Sequence, residues 1–468
     1  MSATKRFSFH MVSSLAQGLF GVVSLLFVIP ELSNIELGYV AALESLTYLY
    51  ATVAGFNLDR AASRFYFNRT AESYEKDLLR TINLAVLASV IASAVFAFAV
   101  KELLLDIFPG IPFWPFISLA LIRVSVEICT RAELAYLIAS GRSVRYAVAT
   151  IFSGAAGVVL SVFLVNYLEM GVTGWLYAQL TSACLLFLFT VGVSSLQRRG
   201  GRFDVKILSA ALLYSWPFIP NLIGAWAISY FDRILVNQTL GLEELGLYAL
   251  ATKMASVYLL VSASFTKSIY PTFYTIYAPD TDNNRQSHEA LRFSRAVIYI
   301  FALLVLCTLT IGGVVFRLIF GERVDHAGGM FGFILIMHWV ASVAFLSSES
   351  MMRANATVAN MILGLLLAML SLGLNYWLIP TLGTVGAVAS GIFVALVGFC
   401  AQIYLARKFL PIPFAYEVYG YVFLVLAVGV SLIAWNDAWQ MKLMVLASGL
   451  LMLGRGVKDG VVFLRRNG

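Results

Sequence analysis

The chain has 468 residues, of which 60% are hydrophobic and only 12% charged, with a formal net charge of +7. A soluble domain of this length carries about twice that charged fraction, so the composition excludes a water-soluble enzyme and indicates a polytopic membrane protein. Long apolar runs rather than alternating short strands make the expected fold all-α, because the bilayer core forces backbone polar groups to pair within each segment.

A span needs about 20 apolar residues. By that rule helices are expected at 10–30, 37–57, 81–100, 113–138, 145–168, 173–195, 208–236, 244–270, 293–316, 329–351, 357–379, 385–406, 417–435 and 441–455, fourteen in all. Lys5 and Arg6 precede the first run, which lacks a small-residue cleavage site and reads as a retained span. Basic residues gather on alternate connections. Arg60, Arg64, Arg69, Lys76 and Arg80 follow the second span, Arg198, Arg199, Arg202 and Lys206 follow the sixth, and Arg455, Lys458, Arg465 and Arg466 follow the last. The opposite ends hold only Lys101, Arg233, Arg317, Arg323 and Lys442. This bias puts both termini in the cytoplasm. The loops are short, so no soluble domain is expected.

Glu36-Leu37-Gly38 at the start of span 2 recurs as Glu244-Leu245-Gly246 at the start of span 8, an offset of 208 residues. Gly171-Val172-Thr173-Gly174 before span 6 resembles Gly383-Thr384-Val385-Gly386 before span 12, an offset of 212. An offset of six spans preserves orientation, so the expected plan is a parallel repeat. It consists of a six-helix bundle over residues 1–200, a second over 201–410, and helices 13 and 14 with a tail over 411–468.

Charges at membrane depth are costly and mark candidate sites. Arg123, Glu127 and Arg131 in span 4 follow i, i+4, i+8 spacing and form one stripe on a helix. Facing a polar interior, the stripe can bind an anionic headgroup; the alternative is mutual neutralisation that only braces helices. Lys253 in span 8 lies at a depth close to that of Glu44 in span 2, and the two are candidates to face one another; an ordinary helix–helix salt bridge is the competing reading. Asp232-Arg233 near the outer end of span 7 is a candidate gate, with an interfacial anchor as the alternative. Pro217 and Pro220 free helix carbonyls and predict a bend or hinge at the start of that span. Glu349 and Arg353 read as structural. Gly154, Gly157, Gly364 and Gly373 read as helix-packing positions.

Other signals carry less. Cys129, Cys184, Cys307 and Cys400 each fall in an apolar run and read as reduced packing residues. The four histidines have no ligand spacing, and no metal or cofactor is expected. Asp280-Thr281-Asp282 follows Pro279 in a short polar loop and reads as a turn. No phosphate-binding loop is present, which excludes an ATP-driven pump within this chain. Basic residues are not interleaved with aromatics in any soluble segment, which argues against a nucleic-acid partner.

Ser215-Trp216-Pro217 with Pro220, the following Asp232-Arg233, the turn from Leu240-Gly241 to Leu245-Gly246-Leu247-Tyr248, and Lys253 together resemble the bacterial polysaccharide flippases (Wzx-like). Leu37-Gly38-Tyr39 and Gly55-Phe56 with Arg60 and Arg64 are similar in the first half. The superfamily also holds multidrug exporters and the lipid II flippase. The resemblance implies two six-helix bundles around a polar cavity, with two helices appended. It implies movement of undecaprenyl-diphosphate-linked oligosaccharide to the outer leaflet of the bacterial inner membrane, with a polymerase and a chain-length regulator as partners. One departure concerns charge, since Arg123, Arg131 and Lys253 are nearly balanced by Glu44, Glu127 and Glu133, where a cationic cavity is the family's tendency. A multidrug or cation antiporter of the same fold is the alternative, although no carboxylate lies between His10 and Pro30. A lipid II flippase is a close variant. A polymerase or ligase is disfavoured by the lack of a large outer loop.

Overall fold

The structure is a computed structural model that describes residues 3–67, 74–193, 201–276, 283–354, 356–409 and 415–435, with single positions at 445, 447 and 449. The described residues are helical, with no strand among them. Among the described residues, ten helices are long and apolar enough to cross a membrane, eleven if the bent pair Val205–Ser215 and Phe218–Leu240 is one span. The expected fourteen would also require Asn34–Ala54, whose tyrosines, threonines and Glu44 dilute its apolar content, Tyr416–Trp435, and the segment 441–455. That last segment lies outside the described residues apart from single positions, as does Asp280-Thr281-Asp282. Leu19, Val95, Phe96, Val159 and Leu318 are all more than 60% exposed on helix faces. Such faces are unfavourable in water and are at rest against lipid.

The chain forms two compact units, Met1–Gly246 and Leu247–Gly468. The first contains α1 (Ala3–Phe27), α2 (Asn34–Ala54), α3 (Leu58–Phe65), α4 (Tyr74–Ala99), α5 (Lys101–Ile107), α6 (Ser118–Ala139), α7 (Ser143–Val162), α8 (Gly171–Phe187), α9 (Val205–Ser215) and α10 (Phe218–Leu240). A helix, α11 (Leu242–Ile276), starts in the first unit and runs into the second. There follow α12 (Asn283–Cys307), α13 (Gly313–Phe320), α14 (Arg323–Arg353), α15 (Thr357–Leu382), α16 (Thr384–Phe409) and α17 (Tyr416–Trp435).

Within the first unit α6 is the central helix, packing on α2, α3, α4, α7 and α8. Its Val124, Ile128 and Ala132 join Ala54 of α2, Leu58 and Ala61 of α3, and Ile82 and Val86 of α4 in one apolar cluster. Ser13 of α1 and Thr150 of α7 share a buried 2.7 Å hydrogen bond, which satisfies both hydroxyls away from water. Within the second unit α14 is central in the same way, packing on α12, α13, α15, α16 and α17. Its fully buried Trp339 stacks on Tyr419 at 4.8 Å. α6 is the fourth expected span and α14 the tenth, and each packs on several helices of its own unit. The compact units divide later than residue 200 because α9 packs on α3 and α4, and α10 on α2.

The repeated sequence segments perform repeated local tasks. Gly171 and Gly383 both take left-handed φ, +53° and +65°, where α8 and α16 begin. Ser33 and Glu36 form a capping box at the start of α2. Glu36 also accepts the Val172 N–H at 3.2 Å, tying α2 to α8. The glycines of the two Leu-Gly pairs mark a close crossing. A Cβ on Gly38 would stand 2.1 Å from the Leu242 carbonyl oxygen, and one on Gly246 would stand 1.8 Å from that of Asn34. Gly38 and Gly246 are separated by 208 residues, as are Asn34 and Leu242, so each helix start packs on the other through the same pair of positions. The contact is reciprocal, as around a two-fold axis.

The bend is located where the prolines predicted it. α9 and α10 meet at 42°, with Pro217 as the N-cap of α10 and Pro220 in its first turn, where a missing N–H costs little. The Ser215 hydroxyl donates to the Asn57 carbonyl at 3.1 Å, and the Arg60 guanidinium lies 4.5 Å from the Phe218 ring centroid, so α3 pins both sides of the bend. Topology is open to a direct test. Reporter fusions after Leu240 and after Gly468 are expected to report outside and inside respectively; an outside C-terminus would break the six-plus-six plan.

Candidate functional site

Among the described residues of the first unit, two groups of charged side chains lie on helices expected to cross the membrane. The first is on α6. Glu127 accepts from Arg131 Nη2 at 3.2 Å and lies 3.5 Å from Arg123 Nη1. Two guanidiniums therefore share one carboxylate, and the stripe keeps a net positive charge. The side chains are 23%, 35% and 37% exposed for Arg123, Glu127 and Arg131, so the stripe borders open space rather than the helix core. Glu133, two residues on, is 1% exposed and accepts from Asn83 at 3.3 Å. It takes part in the packing of α6 on α4.

The second group lies between α2 and α10. Arg233 Nη1 donates to Glu44 Oε2 at 2.8 Å. The Arg233 guanidinium also lies 4.7 Å from the Tyr230 ring centroid, and Tyr230 packs on Tyr48 at 4.9 Å. Trp226 Nε1 donates to the Ser45 carbonyl at 2.9 Å in a buried setting. Trp226, Tyr230 and Arg233 recur at i, i+4, i+7 on one face of α10, opposite Glu44, Ser45 and Tyr48 on α2. Arg233 stands seven residues before Leu240, about 10 Å inside the helix end. Asp232 accepts the backbone N–H of Arg233 at 2.9 Å.

The remaining candidates lie elsewhere along the chain. Lys253 is half-buried on α11 in the second unit. Pro217 and Pro220 shape the bend and carry no polar side chain. Glu349 accepts hydroxyls from Tyr270 at 3.0 Å and Tyr274 at 2.9 Å, a bracing role between α14 and α11. The Glu44–Arg233 pair was missed because no local spacing links residues 189 positions apart; the heptad-like Trp226, Tyr230, Arg233 series was the available signal.

A helical membrane protein with two compact units, internally recurring contacts and charged groups at membrane depth has the architecture of a transporter. The chain belongs to the family described as polysaccharide biosynthesis protein, whose model matches residues 32–328. A probable flippase, AglR of Haloferax volcanii, is 26% identical over 229 residues, 47% of this chain and 46% of the relative. The alignment thus spans about half the length of that relative. Among solved structures, the lipid II flippase MurJ in an inward closed conformation superposes with a TM-score of 0.71 at 11% identity, covering 97% of this chain and 98% of MurJ. An inward-facing multidrug resistance MATE transporter of the MOP superfamily gives 0.59 at 16% identity, covering 85% and 98%. At these identities the two structures establish the fold.

Proposed function

We propose that the protein is a flippase that carries a lipid-diphosphate-linked oligosaccharide from the cytoplasmic to the outer leaflet, with undecaprenyl as carrier in a bacterial cell, for cell-surface polysaccharide assembly. The observation that carries this reading is the partly exposed Arg123–Glu127–Arg131 stripe, in which two arginines share one carboxylate, in a member of the polysaccharide biosynthesis family. A diphosphate is a strong acceptor for guanidinium N–H groups and suits two arginines on one helix face. The sugar then crosses through the polar interior, while the lipid tail stays in the bilayer.

The test is flipping of labelled lipid-linked oligosaccharide in vesicles, with lipid II and a cationic dye as competing cargoes. Arg123→Ala and Arg131→Ala are each expected to slow oligosaccharide flipping about tenfold or more, the scale of a lost charge-assisted hydrogen bond, with membrane insertion unchanged. Near-normal flipping by Arg123→Ala/Glu127→Ala would reduce the stripe to a brace. Transport of the dye in place of the oligosaccharide would identify a drug exporter.

Lys253 supplies a second readout. Outward movement of a diphosphate is favoured by about 2.3 kcal/mol per charge per 100 mV of inside-negative potential. Flipping should therefore accelerate with imposed potential in the wild type. Lys253→Ala is expected to weaken transport and Lys253→Arg to retain most of it. Flipping that ignores the potential but follows a pH gradient would transfer the coupling to Glu44 or Glu127.

A further inference from the structure

The turn from α2 into α3 is strained, and it holds the bend between α9 and α10. Phe56 and Asn57 are consecutive, and both take left-handed φ, +44° and +50°. Among the described residues, Glu169 is the only other non-glycine with positive φ. For a side chain as bulky as phenylalanine this conformation is an outlier, because Cβ crowds the neighbouring carbonyl. The adjacent glycine does not relieve it, since Gly55 caps α2 at φ −80°, which any residue adopts.

Asn57 adds a second cost. An asparagine at a helix N-cap ordinarily takes extended φ/ψ, and its side chain accepts from a first-turn N–H. Ser33 shows that form at the start of α2, with φ −64°, ψ 165° and its side chain accepting the Glu36 N–H. Asn57 is the N-cap of α3, yet it stands at φ +50°, ψ +33°, and its side chain caps nothing. Its Nδ2 is buried without a hydrogen-bond partner among the described residues, which leaves a desolvated donor unsatisfied. A relaxed arrangement is close at hand, with Asn57 extended and its side chain capping α3.

Contacts with the bend hold the strained form. The Asn57 carbonyl accepts from Ser215, the buried last residue of α9. Arg60 lies 4.5 Å from the Phe218 ring centroid at the start of α10. Tyr214 of α9 packs on Phe65 of α3 and on Phe218, each at 5.7 Å. Leu58, Ala61 and Ala62 share an apolar cluster with Ile207 and Ala211 of α9. Extended ψ at Asn57 would turn its carbonyl away from Ser215 and re-aim α3, so the cap and the grip on the bend exclude one another.

We propose that the α2–α3 turn is a two-state latch on the proline bend. In this structure the latch is strained and grips the bend; in its second state Asn57 caps α3, the grip is released and the angle between α9 and α10 changes. Strain offsets part of the gripping contacts, which keeps the two states close in free energy and the latch reversible. By the distribution of Lys and Arg it lies at the cytoplasmic side. The latch goes beyond the transport reading, because it acts within one unit whatever the cargo.

The experiment is double electron–electron resonance on the full-length protein in liposomes, with no cargo added. Cys129, Cys184, Cys307 and Cys400 are replaced by alanine, and spin labels are attached at Arg64→Cys of α3 and Leu213→Cys of α9, both exposed positions. Glycine and threonine are about equal as N-caps but differ sharply in left-handed φ, which glycine adopts freely and a β-branched residue resists. The ratio of short to long label distances is therefore expected to be about tenfold higher in Asn57→Gly than in Asn57→Thr, with wild type between them. Ser215→Ala, which removes the grip and leaves the turn intact, should lower the ratio. Phe56→Gly, which relieves the strain, should raise it and serves as the comparison with wild type if Asn57→Thr does not fold. Equal distance distributions in Asn57→Gly and Asn57→Thr would overturn the latch. So would a Ser215→Ala distribution identical to wild type, or a Phe56→Gly ratio that does not rise.

Discussion

Glu44→Gln and Arg233→Gln, each alone, are expected to lower the apparent Tm and to reduce flipping strongly, while the double variant loses less than the two singles combined. The pair sits between α2 and α10 with Arg233 13% and Glu44 32% exposed. Removing one partner of a fully buried pair costs about 3–5 kcal/mol, chiefly because the other charge is left uncompensated. Partial access of Glu44 to water lowers that to about 2–3 kcal/mol for each single. The two singles are not equivalent. A carboxylate can take up a proton when its partner is lost, whereas a guanidinium stays charged at any accessible pH. Glu44→Gln therefore leaves a permanent cation beside the Tyr230 ring, which the neighbouring Asp232 carboxylate still partly compensates. Removing both charges leaves neither partner of the pair without the other, so the double-mutant cycle should show a coupling of about 1–2 kcal/mol. Additive losses would mean that the 2.8 Å contact contributes nothing to the packing of α10 on α2.

Gly38→Ala and Gly246→Ala are expected to be as damaging as many larger core changes, and Gly38→Val more so. Each glycine lets a helix start approach a backbone carbonyl to a distance that leaves no room for a methyl group, 2.1 Å at Gly38 and 1.8 Å at Gly246. The obstacle is backbone, which cannot rotate aside as a side chain can. Overpacking typically costs about 1–3 kcal/mol, and a backbone clash belongs at or above the upper end. Gly373→Ala is the control, because nothing lies within 4 Å of a Cβ there. It should be neutral or should stabilise α15 by up to about 1 kcal/mol through helix propensity. Folding yield and apparent Tm of the four variants distinguish a steric requirement from a general intolerance of substitution at glycine. Gly154 and Gly157 fall between these extremes. Their nearest neighbours are the Phe20 ring and the Ser182 side chain, both 2.8 Å from a built Cβ, and these can shift.

Much of the architecture is written locally and could be read from the chain. Apolar runs of the length of a bilayer yield the helices, since no other structure satisfies a backbone in lipid. Ser33 and Glu36 carry the cap of α2, and Pro217 with Pro220 carries the bend of α9 against α10, because each acts through atoms within a turn of itself. The recurrence of Leu-Gly at an offset of 208 residues announced a repeat. It did not reveal that the two glycines lie each against the helix that the other begins. The i, i+4, i+8 stripe on α6 was likewise legible, since helical spacing alone brings Arg123, Glu127 and Arg131 together.

What the tertiary structure decided is the partner of each charge. By sequence Arg233 was read with Asp232 as a candidate gate near the outer end of its span; the structure shows its guanidinium against Glu44 of α2. Glu133 entered the charge balance of the site by its position in span 4, but it points to Asn83 and is buried in packing. The second task of Glu36, receiving Val172 of α8 while it caps α2, is equally invisible in the chain. The reason is common to all three. A turn, a cap or an i,i+4 pair is set by dihedral angles a few residues apart, which the sequence specifies directly. An ion pair between helices depends on how each helix is rotated about its axis and how deep it sits. Those are settled together by the packing of every neighbouring helix, and no short stretch of residues encodes them.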